Sequence, residues 1–154
     1  MRKNIVFVIM GCIILTFGLF GCKECKRSNY WKTIGITDDG LYASLIKSKG
    51  EPNDIEYDDD GAYVVYEGIR FYYPNKELNG SFIRAEIYND RYVFDQNISI
   101  GIEKDAIESH YKGAKKLVDL PNDELAYQCN DNTIIWFKFN EKDEVNKIVL
   151  TWEM

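Results

Sequence analysis

The sequence predicts an α+β protein of two tandem modules, each a short helix packed on an antiparallel β-sheet, and three observations predict it. Apolar residues at Leu41, Tyr42, Leu45 and Ile46 have the spacing i, i+1, i+4, i+5, and Ala106, Ile107, His110 and Tyr111 repeat it 65 residues later. Each stripe is followed by two runs rich in Val, Ile, Tyr and Phe around a turn signal, the pattern of a hairpin. A third apolar run closes each set. With 45% apolar and 29% charged residues over 154 positions, the chain can bury a core, and its composition excludes disorder, collagen and a multi-span membrane protein.

The first module is placed at residues 33–97. Ile34-Gly35-Ile36 leads into Thr37-Asp38, a good N-cap pair, and Gly50 and Pro52 stop the helix. Ala62 to Tyr66 and Ile69 to Tyr73 flank Glu67-Gly68 as a hairpin, and Phe82, Ala85 and Ile87 mark the closing strand. The second module is placed at residues 98–154. Ile100-Gly101-Ile102 precedes an acidic first turn, Gly113 ends the helix, and Leu125 to Cys129 and Thr133 to Phe139 flank Asn130-Asp131-Asn132, residues tolerant of positive φ. Val145, Ile148 and Leu150 close this set, shifted by 63 from Phe82, Ala85 and Ile87. Tyr88 to Asn97 is the joint, with Tyr92-Val93-Phe94 as an edge or bridging strand. Neither module alone has much core, so side-by-side packing is required.

Ahead of the modules, Arg2 and Lys3 precede nineteen uncharged residues, Asn4 to Cys22, most of them apolar. This is the n-region and h-region of an export signal. As a helix it reaches about 28 Å, slightly less than the ~30 Å hydrocarbon core, so an uncleaved anchor is the alternative. Leu19-Phe20-Gly21-Cys22 resembles the lipobox of bacterial lipoproteins. That resemblance implies cleavage between Gly21 and Cys22, removal of residues 1–21 as a signal peptide, and lipidation of the Cys22 sulfur. Residues 22–32 then form a tether, and the body stands on the extracytoplasmic face of the cell membrane. Several acyl chains make such an anchor durable where one does not.

Cys12 leaves with the leader and Cys22 is consumed by lipid, so Cys22-x-x-Cys25 is a poor metal or redox motif, the more so with a single histidine in the chain. Cys25 and Cys129 either pair or stay as thiols. Nineteen Lys and Arg against 25 Asp and Glu give a net charge of −6, which excludes electrostatic binding to nucleic acid. No Gly-rich phosphate loop is present, and no cofactor is expected.

The lipobox, Ile-Gly-Ile, the short helix, Gly50-Glu51-Pro52, the aromatic hairpin and the closing strand together resemble the tandem α/β modules of the beta-lactamase inhibitory protein and SmpA/OmlA type. The resemblance covers about Lys32 to Met154. It implies helices on one face of an antiparallel sheet and a protein partner on the other. The second copy departs from it, with Gly113-Ala114-Lys115 in place of Gly-Glu-Pro, and the within-repeat disulfides of the inhibitory proteins have no counterpart.

Three sets of residues are candidates for function. Tyr63, Tyr66, Phe71, Tyr73, Tyr127, Trp136 and Trp152 all fall in predicted strands, and Tyr and Trp are enriched at binding hot spots. Glu56, Asp58, Asp60 and Glu67, with Gly61 at the turn, have the ligand spacing of an EF-hand calcium loop, but Tyr63-Val64-Val65-Tyr66 reads as strand where that motif needs a helix. His110 takes the stripe position of Leu45 and is expected to pack, half-buried, and not to catalyse. The reading is a membrane-anchored, non-enzymatic module that binds or inhibits a protein through an aromatic sheet face. The alternative is a small cell-wall-active enzyme or a calcium- or ligand-binding lipoprotein.

Overall fold

The computed structural model describes residues 34–36, 40–95, 97–129 and 133–152. The leader, Gly21, Cys22, Cys25, the Thr37-Asp38 pair and Asn130 to Asn132 lie outside the described residues. In chain order the elements are α1 (Tyr42–Lys49), β1 (Asp54–Tyr57), β2 (Ala62–Tyr66), β3 (Ile69–Tyr73), β4 (Arg84–Ile87), α2 (Lys104–His110), β5 (Lys115–Lys116), β6 (Glu124–Gln128), β7 (Thr133–Phe139) and β8 (Val145–Trp152). All strands join one antiparallel sheet in the order β1-β2-β3-β4-β8-β7-β6-β5. The α+β expectation holds, with strands outweighing helix.

The two halves share that sheet, because β4 pairs with β8 along Arg84↔Thr151, Ala85↔Leu150, Glu86↔Val149 and Ile87↔Ile148. One buried cluster runs beneath both. Under α1 it contains Phe71, Tyr73 and Phe82, with Phe71 and Phe82 ring centroids 4.9 Å apart and Tyr42 edge-on to Tyr73 at 6.1 Å. Under α2, Tyr111 stacks on Tyr127 at 4.9 Å and lies 5.5 Å from Phe137. Both helices therefore cover the same sheet face.

The helices are shorter and differently capped than the sequence suggests. Leu41 is the N-cap of α1 and makes no side-chain cap bond. Gly50 closes the helix at φ 84, a left-handed conformation that costs other residues, and donates its N–H to the Ile46 carbonyl at 2.7 Å. In α2 the deeply buried residue is Ile107, the partner in register of Leu45 in α1, so the repeat of buried helix positions runs over 62 residues, not 65. His110 consequently sits one position round the helix from the core, its side chain a quarter exposed.

Two strands were not expected. Asp54–Tyr57, part of the acidic segment read as a loop, is an edge strand paired with β2. Lys115–Lys116 forms the opposite edge on β6. Conversely Tyr92-Val93-Phe94 is not a strand: Phe94 makes one isolated bridge to Ile98, and both residues are buried.

Candidate functional site

Alternation within each strand sorts the aromatic candidates. Tyr66, Phe71, Tyr73 and Tyr127 point towards the helices and are at most 8% exposed. They are core, which removes them from the proposed binding face. Tyr63 and Trp136 point the other way and are half-buried. Trp152 pairs with Thr133 through the backbone, and its side chain lies outside the described residues.

The register lays the open face out in rows. One row runs Asp54, Val65, Arg70, Glu86, Val149, Trp136, Ala126 across β1, β2, β3, β4, β8, β7 and β6. The next runs Glu56, Tyr63, Tyr72, Arg84, Thr151, Ile134, Gln128, and ends at Lys115 on β5. A third holds Lys147, Lys138 and Glu124. The face thus has a cationic and aromatic half over β2, β3 and β4 and an apolar strip of Ile134, Trp136 and Val149 over β7 and β8.

Glu86 organises the first half. Its Oε2 accepts from Arg70 Nε at 3.1 Å, Arg70 Nη2 at 2.9 Å and the Tyr88 hydroxyl at 3.1 Å, and Lys147 Nζ stands 3.5 Å away. Arg84 Nε lies 3.2 Å from Oε1 as an ion pair, outside hydrogen-bonding geometry. The guanidiniums are held flat by rings: Arg70 is 4.2 Å from the Tyr63 centroid and Arg84 4.8 Å from that of Tyr72, while Arg84 also donates to the Tyr63 hydroxyl. Burial raises the Glu86 carboxyl, but the Arg70 hydrogen bond and the charges of Arg70, Lys147 and Arg84 outweigh it and hold the group below its ordinary 4.5. Burial and the Glu86 charge push the Tyr88 phenol up. Glu86 is thus an ionised anchor and Tyr88 a neutral donor.

The layering of charge is uneven. Side chains of Arg70, Arg84, Lys147 and Lys138 are 28%, 33%, 30% and 42% exposed, whereas Glu86 and Glu124, beneath them, are 7% and 12% exposed. The carboxylates that face solvent lie at the β1 rim, where Asp54 is exposed and Glu56, 3.5 Å from Arg70, is 52% exposed. Sequence reasoning missed this cluster. The one signal was a charged residue between buried neighbours on two strands, Ile69-Arg70-Phe71 and Ala85-Glu86-Ile87, the signature of a cross-strand ion pair.

The acidic set does not converge. Asp58 caps its own turn, its Oδ1 accepting from the Asp60 and Gly61 N–H groups at 3.1 and 2.7 Å. Glu56 faces Arg70, and Glu67, at the far end of β2, is gripped by Arg91 at 2.6 and 3.1 Å. Among the described residues no three His, Cys, Asp or Glu side chains group to hold a metal. His110 Nε2 and the Tyr111 hydroxyl both reach Asp95 Oδ2, at 3.1 and 3.0 Å, which ties α2 to the joint. Cys129 is buried, its N–H bonded to the Thr133 carbonyl. A polar hollow of about 250 Å³ between Glu103, Lys104, Asp105, Lys142, Asp143 and Glu144 lies at the start of α2, away from the open face.

No protein-family model and no curated protein sequence matches the chain. Two solved structures share its fold. An extracellular protein containing a SCP domain from Bacillus anthracis aligns at a TM-score of 0.57 and 11% identity, over 83% of this chain and 47% of that one. The chain thus spans about half the length of that neighbour. A DUF4309 family protein (YjgB) from Bacillus subtilis aligns at 0.50 and 14% identity, over 82% of this chain and 95% of that one. Neither is of the beta-lactamase inhibitory or SmpA/OmlA type, and at such identity the likeness is one of fold, which does not carry function.

Proposed function

We propose that the protein is an extracytoplasmic lipoprotein, anchored through Cys22, whose open sheet face binds a protein partner without catalysis. One observation carries the binding half. Both helices pack on the same side of the sheet, leaving the other side a broad surface of ordered arginine, tyrosine and tryptophan side chains. Such a surface is pre-organised, so little side-chain entropy is lost when a partner settles on it. The order of elements supports the tandem-module reading: a helix and four strands occur twice, with β4 and β8 paired at the middle. Export is supported by the basic, then apolar, N-terminus and Leu19-Phe20-Gly21-Cys22, and by the fold shared with a protein described as extracellular. No helix among the described residues is long and apolar enough to cross a membrane, so attachment falls to the N-terminal segment.

Two experiments test the halves separately. Cys22→Ala is expected to leave an unprocessed precursor or release the protein to the medium; unchanged, processed membrane retention overturns lipid anchoring. Trp136→Ser and Ile134→Ser together, which leave the Tyr63 ring in place on Arg70 and Arg84, are expected to abolish cross-linking to a cell-surface partner on intact cells while the protein keeps a cooperative thermal transition. Retained cross-linking with a lowered melting temperature overturns the binding reading.

A further inference from the structure

The partner's chemistry can be read from the charge layering, given that the open face is a protein-binding surface. The chain as a whole carries −6, yet the middle of this face presents Arg70, Arg84, Lys147 and Lys138 outward, with Glu86 and Glu124 beneath them. A molecule settling there meets cations first. We infer that the face seats an acidic polypeptide segment, its carboxylates over Arg84 and Lys147 and its apolar side chains against Ile134, Trp136 and Val149, while Lys138 is held by its ion pair with Glu124.

The geometry favours a peptide over a bare anion. Arg70 spends its Nε and Nη2 on Glu86 and directs Nη1 to Glu56, so it is an anchor of the lattice more than a docking group. Arg84, by contrast, bonds through Nη2 to Tyr63 and comes nearest Glu86 at Nε, and its Nη1 is the nitrogen offered to an incoming carboxylate. Lys147 is 3.5 Å from Glu86, a loose contact that its flexible stem can redirect. These two donors lie on β4 and β8, beside the Trp136 and Val149 pair. A ligand using both halves must carry negative charge and apolar bulk on one side within a strand spacing or two, about 5 to 10 Å, and same-side residues of an extended acidic peptide, about 6.6 Å apart, fall in that range. Anionic partners on a cationic patch also gain in association rate, more at low salt than at high.

The test uses the full chain in non-ionic detergent and two fluorescein-labelled peptides, one repeating Glu-Ser-Leu-Ser, which puts glutamate and leucine on the same side of an extended chain, and one with glutamine in place of every glutamate. Fluorescence anisotropy is expected to show the glutamate peptide binding about tenfold more tightly at low salt, with the preference shrinking as salt rises. Lys147→Glu and Arg84→Gln should each weaken it about tenfold, while Lys142→Glu, in the hollow by α2, should leave it unchanged. Equal binding of the two peptides, or equal loss on Lys142→Glu and Lys147→Glu, overturns the inference. So does displacement of the peptide by an equal concentration of inorganic phosphate, which points to a bare anion site. If the glutamine peptide alone binds and Trp136→Ala removes it, the acidic chemistry falls while the protein-binding reading stands. If neither binds, the inference falls as well, and the cross-linking experiment, which does not depend on probe charge, decides the reading beneath it.

Discussion

Phe71→Ala is expected to lower the stability of the protein by about 4 kcal/mol and its melting temperature by roughly 15 °C. Phe71 lies at the middle of β3 with no exposed surface, paired across the sheet with Val64 on one side and Ala85 on the other. Its ring is 4.9 Å from that of Phe82 and 6.2 Å from that of Tyr66. Truncation removes most of an aromatic side chain from a place where strands on both sides fix the backbone, so the hole cannot close. Urea denaturation measures the loss directly. The sequence groups Phe71 with the binding aromatics, and a surface role predicts the reverse: weaker capture with little change in stability. A loss under about 1 kcal/mol would show that the ring is not core.

Glu86→Ala is expected to cost about 3 kcal/mol at neutral pH, because it leaves Arg70, Arg84 and Lys147 facing one another without their common counter-charge. The partners are a quarter to a third exposed, so water screens part of the repulsion and the upper end of the range for buried pairs does not apply. Glu86→Gln keeps the volume and one acceptor and should cost less, about 1–2 kcal/mol. The pH dependence follows from the direction of the shift. A carboxyl held below its ordinary 4.5 in the folded state contributes stability that is fully present above that value and is lost as the pH falls through the lower, folded one. Urea titrations between neutral pH and about pH 3 should therefore show the gap between parent and Glu86→Gln shrinking in acid. A gap that stays constant over that range would mean that Glu86 is not the ionised anchor of the lattice.

The strands with strict alternation were legible in the sequence, and the reason is physical. In β7 every second residue from Thr133 to Phe139 is buried, and in β3 Ile69, Phe71 and Tyr73 are, so period-two hydropathy marks both strands. Facing was harder. Tyr63-Val64-Val65-Tyr66 and Phe71-Tyr72-Tyr73 are apolar at both parities, so nothing local says which tyrosines turn inward. Tertiary packing decides it by putting Tyr66 and Tyr73 under α1, their hydroxyls bonded to the Gly50 and Gly40 carbonyls at 3.0 and 3.2 Å. β1 was illegible because three of its four residues are exposed and two are acidic, and β5 because two lysines carry no hydropathy pattern. Both are held by backbone pairing and by polar side-chain contacts, Glu56 to Arg70, Lys115 to Gln128 and Lys116 to Glu108, that local hydropathy does not mark. The Glu86 lattice needed register: Arg70 and Glu86 are 16 positions apart, and only the pairing of β3 with β4 makes them neighbours.

The sheet is open, so its two borders decide whether neighbouring copies zip into a fibre. One border offers Asp54 and Glu56, with Asp58 to Asp60 at its tip, and the other offers Lys115 and Lys116. Like borders repel. Unlike borders attract, but the lysine side supplies a ladder of only two residues, too short a splice to hold neighbouring copies together. Edge-to-edge joining is thereby disfavoured, and it leaves the open face uncovered.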